Sequence, residues 1–253
     1  MKTIEKFHSI QELLVRNNKY GLTRKEISEC LELPKSTCYR FLNELKQYGY
    51  IRRNNNTGRY YLGYQHLRYA DCIMERIEEA RVCLPHLERY HQRSDETTFY
   101  AKLNERICTD VVLCGFTDTK VSIARGHELP LHASAAGKTI LAFLDEVSRY
   151  RLLKQAGLPA LTEHTITDME PLLSQLDEVR NTGKGYSLEE MNEGINALAT
   201  PVFSRGKGVV GAISLVGRSD RLQPEILRSY SYDFLESSRT ITEELGGIFP
   251  CYL

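Results

Sequence analysis

The stretch LTRKEISECLELPKSTCYRFLNELKQYGYI, residues 22–51, decides how the front of this chain folds. Thr23 and Glu26 are spaced as a capping box, in which each side chain satisfies an exposed N–H of the other's backbone. The spacing predicts a short helix from there to about Leu31, with Ile27, Cys30 and Leu31 turned inward. After the tight link LEL, Pro34 suits the first turn of a second helix, where its missing N–H costs nothing. Cys38, Phe41, Leu42, Leu45 and Tyr48 form the apolar stripe of that helix, and Gly49 stops it. Lys35, Ser36, Thr37, Tyr39, Arg40 and Asn43 are left on its other side.

Working outward, Ile4, Phe7, Ile10 and Leu14 recur at helical spacing before this unit, so a helix precedes it and ends near RNNKYG. Behind it, YIRRNNNTGRYYLG reads as two strands, 50–53 and 59–62, joined by an Asn- and Gly-rich turn. Arg52, Arg53 and Arg59 put positive charge on this hairpin. A short helix, a tight turn, a polar and basic second helix and a basic hairpin together make a winged helix-turn-helix pattern over residues 1–64. One helix fits the major groove of double-stranded DNA, and Ser, Thr, Tyr and Arg reach base edges or phosphates from it. Thr23 and Arg24, at the start of the first helix of the pair, join the expected DNA contacts.

Charge supports that placement. The 253-residue chain has equal numbers of acidic and basic residues. Its first 64 residues nevertheless hold twelve Lys and Arg against six Glu and no Asp, a net +6, and the remainder is −6. A basic head on an acidic body places the polyanion partner at the head. With 42% apolar and 26% charged residues, the composition is that of a globular protein. No apolar run approaches the roughly 18 residues of a membrane span, so no membrane partner is expected. The seven cysteines include no C-x-x-C pair, which argues against a zinc ribbon or disulfide framework and fits a cytoplasmic protein with core cysteines.

From residue 65 to 84, Leu67, Ala70, Ile73, Ile77 and Ala80 continue at helical spacing, with Pro85 ending or kinking the pattern. This reads as a linker helix between domains, a pairing surface in a dimer, or a helix packed on its own domain. Residues 85–253 mix both element types. ETTFYAKL, RICTDVVLCGF, KVSIARG, GYSL, NALATPVFS and VVGAISLVG read as strands. SAAGKTILAFL, DEVSRYRLLKQAG, MEPLLSQLDEVRNTG and about 224–245 read as helices. The expected fold class is α+β, with helices around an antiparallel sheet.

HASAAGKTIL, residues 132–141, ends in the Gly-Lys-Thr of a nucleotide-binding loop. The glycine that such a loop needs five residues before Gly137 is replaced by His132, so no phosphate cradle forms. No G-x-S-x-G elbow supports His132 and Ser134 as hydrolase partners, and the histidines show no metal-ligand spacing. No catalytic residue, metal or cofactor is expected. Small side chains before a helix do let an anion approach its N-terminal N–H groups. Lys138 either adds positive charge to such a site or, as the expected reading, lies on the helix surface.

Taken in order, these segments resemble the IclR-type bacterial transcription regulators over nearly the whole chain. The resemblance rests on residues 22–51 with GRYYLG, then LPLHASAAGKTILAFL, TEHTIT, VRNTGKGYSLEE and GINALATPVFSRGKGVVGAISLVG. It implies a winged helix-turn-helix domain, a linker helix and a GAF-like effector domain. Such regulators repress or activate, assemble as dimers or tetramers, and respond to small metabolites, often organic or sugar acids. It also implies that Ser134, Ala135, Ala136 and Gly137 lie at the effector pocket, with the Ala135 and Ala136 N–H groups receiving a ligand carboxylate. Further matching positions are Glu189 or Glu190, Ala197 and Ser214. Val216 stands where a second serine is frequent, which implies a ligand less hydroxylated than a sugar acid. The rival reading is a body that serves only for assembly.

Overall fold

The computed structural model describes residues 2–104, 107–114, 126–206 and 208–251. It divides into two compact units, residues 1–76 and 77–253. The first contains α1 (Thr3–Arg16), α2 (Arg24–Cys30), α3 (Lys35–Gln47), a hairpin of β1 (Ile51–Arg53) and β2 (Tyr60–Leu62), and α4 (Gln65–Met74). Thr23 caps α2 as its spacing predicts: its hydroxyl accepts from the Glu26 N–H, and Glu26 takes the Thr23 N–H at 2.7 Å. Ile10, Leu14, Ile27, Cys38, Leu42, Leu45, Ile51 and Tyr60 close one core. Leu22 bridges to Tyr60, so β2 is stitched to the segment just before α2.

Three inward positions differ from the spacing argument. Cys30 is exposed, and Ser28 is buried instead. The tight turn into α3 needs a donor for the Leu33 carbonyl, and the Ser28 hydroxyl supplies it at 2.7 Å. Tyr48 is 68% exposed because α3 has ended there; Gly49 turns the chain at φ +75°, and Tyr50 packs edge-on against Phe7 in its place. Ile4, in the first turn of α1, is 81% exposed. Leu31, like Phe7 and Phe41, is half-buried and packs against this core. The view of the cysteines as core residues also fails in part, since Cys30, Cys72 and Cys251 are exposed while Cys38 and Cys83 are buried. The side chains of Cys108 and Cys114 lie outside the described residues.

The helix expected over 65–84 is two helices. α4 stops at Met74 and α5 (Glu78–Ser94) begins after Ile77, whose φ of −100° and ψ of 87° are not helical. No Gly or Pro marks this break, and the boundary between the two units falls within it. Glu78 and Glu79 open α5, where negative charge meets the positive end of the helix dipole. Pro85 does not end α5, which continues to Ser94. Pro85 and Arg81 both face solvent, so water can take the carbonyl that the missing N–H leaves free.

The second unit is built on one antiparallel sheet of six strands in the order β5-β4-β3-β8-β7-β6. These are β3 (Thr97–Asn104), β4 (Ile107–Cys114), β5 (Glu128–Leu129), β6 (Gly185–Leu188), β7 (Ile195–Ser204) and β8 (Gly208–Arg218). The strand expected over 120–126 lies, but for Gly126, outside the described residues. α6 (Ala135–Phe143), α7 (Glu146–Ala156) and α8 (Met169–Thr182) follow β5, and α9 (Pro224–Glu244) follows β8. Phe99, Ala101, Ala197, Ala199, Ala212 and Val216 face α6 and α8 in one core. The alternate residues face the other way, where Thr98 bonds to the Leu87 carbonyl of α5 and Thr200 to the Phe234 carbonyl of α9. Because helices cover both faces, the middle strands are buried along nearly their whole length and read as apolar runs. The α+β class with an antiparallel sheet is the observed one.

Candidate functional sites

On the first unit, Lys35, Ser36, Tyr39, Arg40 and Asn43 lie exposed along α3, and Thr37 is half-buried. Arg24 at the start of α2 stacks over the Tyr39 ring at 5.2 Å, which joins the two helices into one polar face. The Thr23 hydroxyl is committed to its cap. On the hairpin, Arg52 stacks on Tyr61 at 4.8 Å and on Tyr64 at 5.6 Å. Arg53 stacks on Tyr60 and donates to the Gly58 carbonyl. Such packing orders a guanidinium in advance and removes part of the entropy cost of a later contact. Arg59 behaves differently: it turns back to the Gly21 carbonyl at 2.8 Å and to Glu26 at 3.3 Å. Its charge is compensated inside the fold, whereas Arg52 and Arg53 have no acidic partner among the described residues.

The second site is a cavity under the start of α6. Ser134 caps this helix: its hydroxyl accepts from the Gly137 N–H at 3.0 Å and donates to the Pro130 carbonyl at 2.7 Å. The N–H groups of Ala135 and Ala136, in the first turn, have no carbonyl four residues earlier in the helix to bind. Gly137 is required by packing, because a Cβ there would stand 2.7 Å from the Leu131 backbone. The Gly-Lys-Thr of this stretch thus serves a close helix start rather than a nucleotide.

Ser134, Ala135, Ala136, Ala197, Ser214 and Val216, all expected at a pocket, do line one cavity. Phe99, Leu129, Ser187, Met191, Asn192 and Ile195 complete it. Apart from Asn192, the missed residues look like ordinary core or strand positions, and only the fold gathers them. The Ser187 and Ser214 hydroxyls donate to the Ala133 and Leu198 carbonyls, so the walls present few unspent polar groups. The free space is about 30 Å³.

Gly137, Glu189 and Glu190 do not line the cavity. Glu189 sits at φ +57° and accepts the Gly194 N–H at 2.6 Å, closing the turn between β6 and β7. Glu190 is buried and pairs with Lys138 at 2.5 Å. Lys138 is not on a helix surface. It is 0% exposed, because α6 is covered by the sheet on one side and α8 on the other, and it also donates to Gln175 of α8 at 2.8 Å. Burial pushes its pKa down, and the Glu190 carboxylate opposes this. His132 bonds to the Pro159 carbonyl rather than to Ser134, so no nucleophile–base pair forms there. Among the described residues no group of His, Cys, Asp and Glu is arranged to hold a metal, and no helix is long and apolar enough to cross a membrane.

Comparison with known proteins addresses both units. A family model described as the bacterial transcriptional regulator IclR C-terminal matches residues 73–243. A second, the sugar-specific transcriptional regulator TrmB, matches residues 12–69. The chain is 30% identical over 225 residues to the HTH-type transcriptional repressor AllR of Escherichia coli, covering 87% of this chain and 82% of AllR. The crystal structure of the Thermotoga maritima IclR superposes with a TM-score of 0.81 at 25% identity, covering 96% of this chain and 98% of that one. A double mutant of the PobR inducer-binding domain from Acinetobacter, solved with 3-hydroxybenzoic acid, gives a TM-score of 0.59 at 27% identity. That match covers 64% of this chain and 97% of the PobR domain. These relatives are transcription regulators by name.

Proposed function

The chain belongs to the IclR family of bacterial transcriptional regulators, and on that premise we propose that a small organic acid, bound under α6, sets its affinity for operator DNA. The observation that carries this reading is the cavity itself. Ala135 and Ala136, in the first turn of α6, line a space whose apolar wall is formed by Phe99, Leu129, Met191, Ile195 and Val216. A helix start suits a carboxylate, and the apolar walls suit a ligand body with few hydroxyls. The 3-hydroxybenzoic acid in complex with the PobR domain is a ligand of that kind. α3 with Arg24 is the base-reading face, and Arg52 and Arg53 take backbone phosphates. Repression is the expected sense, as the name of AllR states for that protein.

The assembly proposed is a homodimer or tetramer. Leu67 and Ile73 of α4 are 61% and 59% exposed, an apolar stripe of the kind that paired copies bury. Paired winged units also match the half-sites of a palindromic operator.

A second reading has one observation in its favour. Ligand pockets commonly enclose about 300 Å³ or more, ten times the free space here, and a body used only for assembly needs no pocket. Fluorescence anisotropy with the chain's own upstream DNA, titrated with 3-hydroxybenzoate and a panel of aliphatic and hydroxylated acids, separates the two. A saturable change in DNA affinity with a sparsely hydroxylated acid supports effector gating. Specific DNA binding that no acid changes supports assembly alone.

A further inference from the structure

The cavity is too small for an organic acid unless a wall moves, and one wall is fastened by a buried charge pair. Met191, Asn192 and Ile195 line the cavity from the turn 189–194 and the first residue of β7. Glu190, within that turn, does not line the cavity and pairs with the ammonium of Lys138. Its backbone carbonyl also accepts from the Thr165 hydroxyl at 2.7 Å, and the Thr162 hydroxyl donates to the neighbouring Glu189 carbonyl at 2.8 Å. Through Lys138 and Gln175, Glu190 is tied to α6 and α8.

A buried ion pair is a poor source of stability, because desolvating two charges offsets most of their attraction. This one is incompletely satisfied too: the second Glu190 carboxylate oxygen is buried without a hydrogen-bond partner among the described residues. Apolar residues of similar size would fill the space at no greater cost. What the pair supplies is direction, since it sets where the turn sits against the start of α6. We infer that Lys138 and Glu190 form a latch that holds the cavity wall 189–194 closed, with Lys138 a positioning residue rather than the ligand's counter-ion. The consequence for ligand entry rests on reading the cavity as an effector site; the latch itself does not.

Hydrogen exchange on the full-length protein without ligand tests it. The Glu189, Gly194 and Ile195 amides report on the turn, since they bond to the Ile195 carbonyl, the Glu189 carboxylate and the Asn192 carbonyl. Glu190→Gln and the double variant Lys138→Met/Glu190→Leu are compared with wild type. In both, exchange at the three turn amides should rise about tenfold or more while the β7–β8 ladder keeps its protection, the signature of local opening. The double variant removes both charges and guards against misfolding from a lone buried one. Faster exchange throughout the second unit, or unchanged exchange at the turn, overturns the latch. Failure of every acid to alter DNA binding by wild type would instead overturn the effector reading and leave the exchange result standing.

Discussion

Ser134→Ala tests whether the start of α6 is built as described. The substitution removes two contacts from a residue that is almost fully buried. The first is the cap on the Gly137 N–H, and loss of such a cap costs about 1 kcal/mol. The second is the hydroxyl bond to the Pro130 carbonyl. That carbonyl keeps the Ser134 N–H at 3.0 Å, so the loss is that of one neutral hydrogen bond, about 1 kcal/mol. Together they amount to about 2 kcal/mol. For a cooperative unit of 150–250 residues each kcal/mol lowers Tm by about 2–4 °C, so the expected fall is about 4–8 °C. Scanning calorimetry is the suitable assay, because two units can melt separately and only the transition of the second should move. Ser134→Gly should fall about half as far, since glycine is tolerated at the cap position. An unchanged second transition in Ser134→Ala, or equal losses in the two variants, would refute the capping argument.

Other consequences follow from the two sites. Arg40→Ala should weaken operator binding by about 1–3 kcal/mol and relax specificity at one base position, read by anisotropy with operator and random duplexes. Arg52→Ala should weaken both duplexes alike and reduce the salt slope by about one. Arg59→Ala should lower the melting temperature of the first unit yet leave that slope unchanged, because Arg59 is spent on Gly21 and Glu26. Burial holds the His132 imidazole below its ordinary pKa, more than the Pro159 carbonyl and Glu190 raise it. The unfolded ring then takes a proton that the folded ring refuses, so its contribution to stability is full above about pH 6.5 and is lost as pH falls toward the folded value. Denaturant melts between pH 5 and 8 should therefore show a flatter pH dependence for His132→Asn, while His86, also lowered by burial, keeps part of the slope in both proteins.

Much of the molecule follows from local chemistry and is legible residue by residue. The Thr23–Glu26 box, the Gly49 stop, the Asn-rich hairpin turn and the strand pattern of β6, β7 and β8 are each set by neighbours a few positions apart. The pocket was legible through resemblance to the extent of six lining residues, because they lie on segments whose order the family shares. Misjudged positions share another cause. Cys30 and Tyr48 sit at helix ends, where one residue of difference in the boundary turns a side chain from core to solvent. The break at 75–77 carries no local signal, since the apolar spacing runs on through it.

The sequence by itself determined the elements, their caps, the basic head and the small-residue helix start. Only the tertiary structure decided what the charges on them do. Lys138 looks like any helix lysine until α8 and a turn 52 positions away close over it. Arg59 looks like a free hairpin charge until Gly21, 38 positions earlier, and Glu26 take up its guanidinium. Helix and strand periods are short-range properties of a chain, whereas the partner of a charge, and the cost of burying it, depend on residues that only folding brings near.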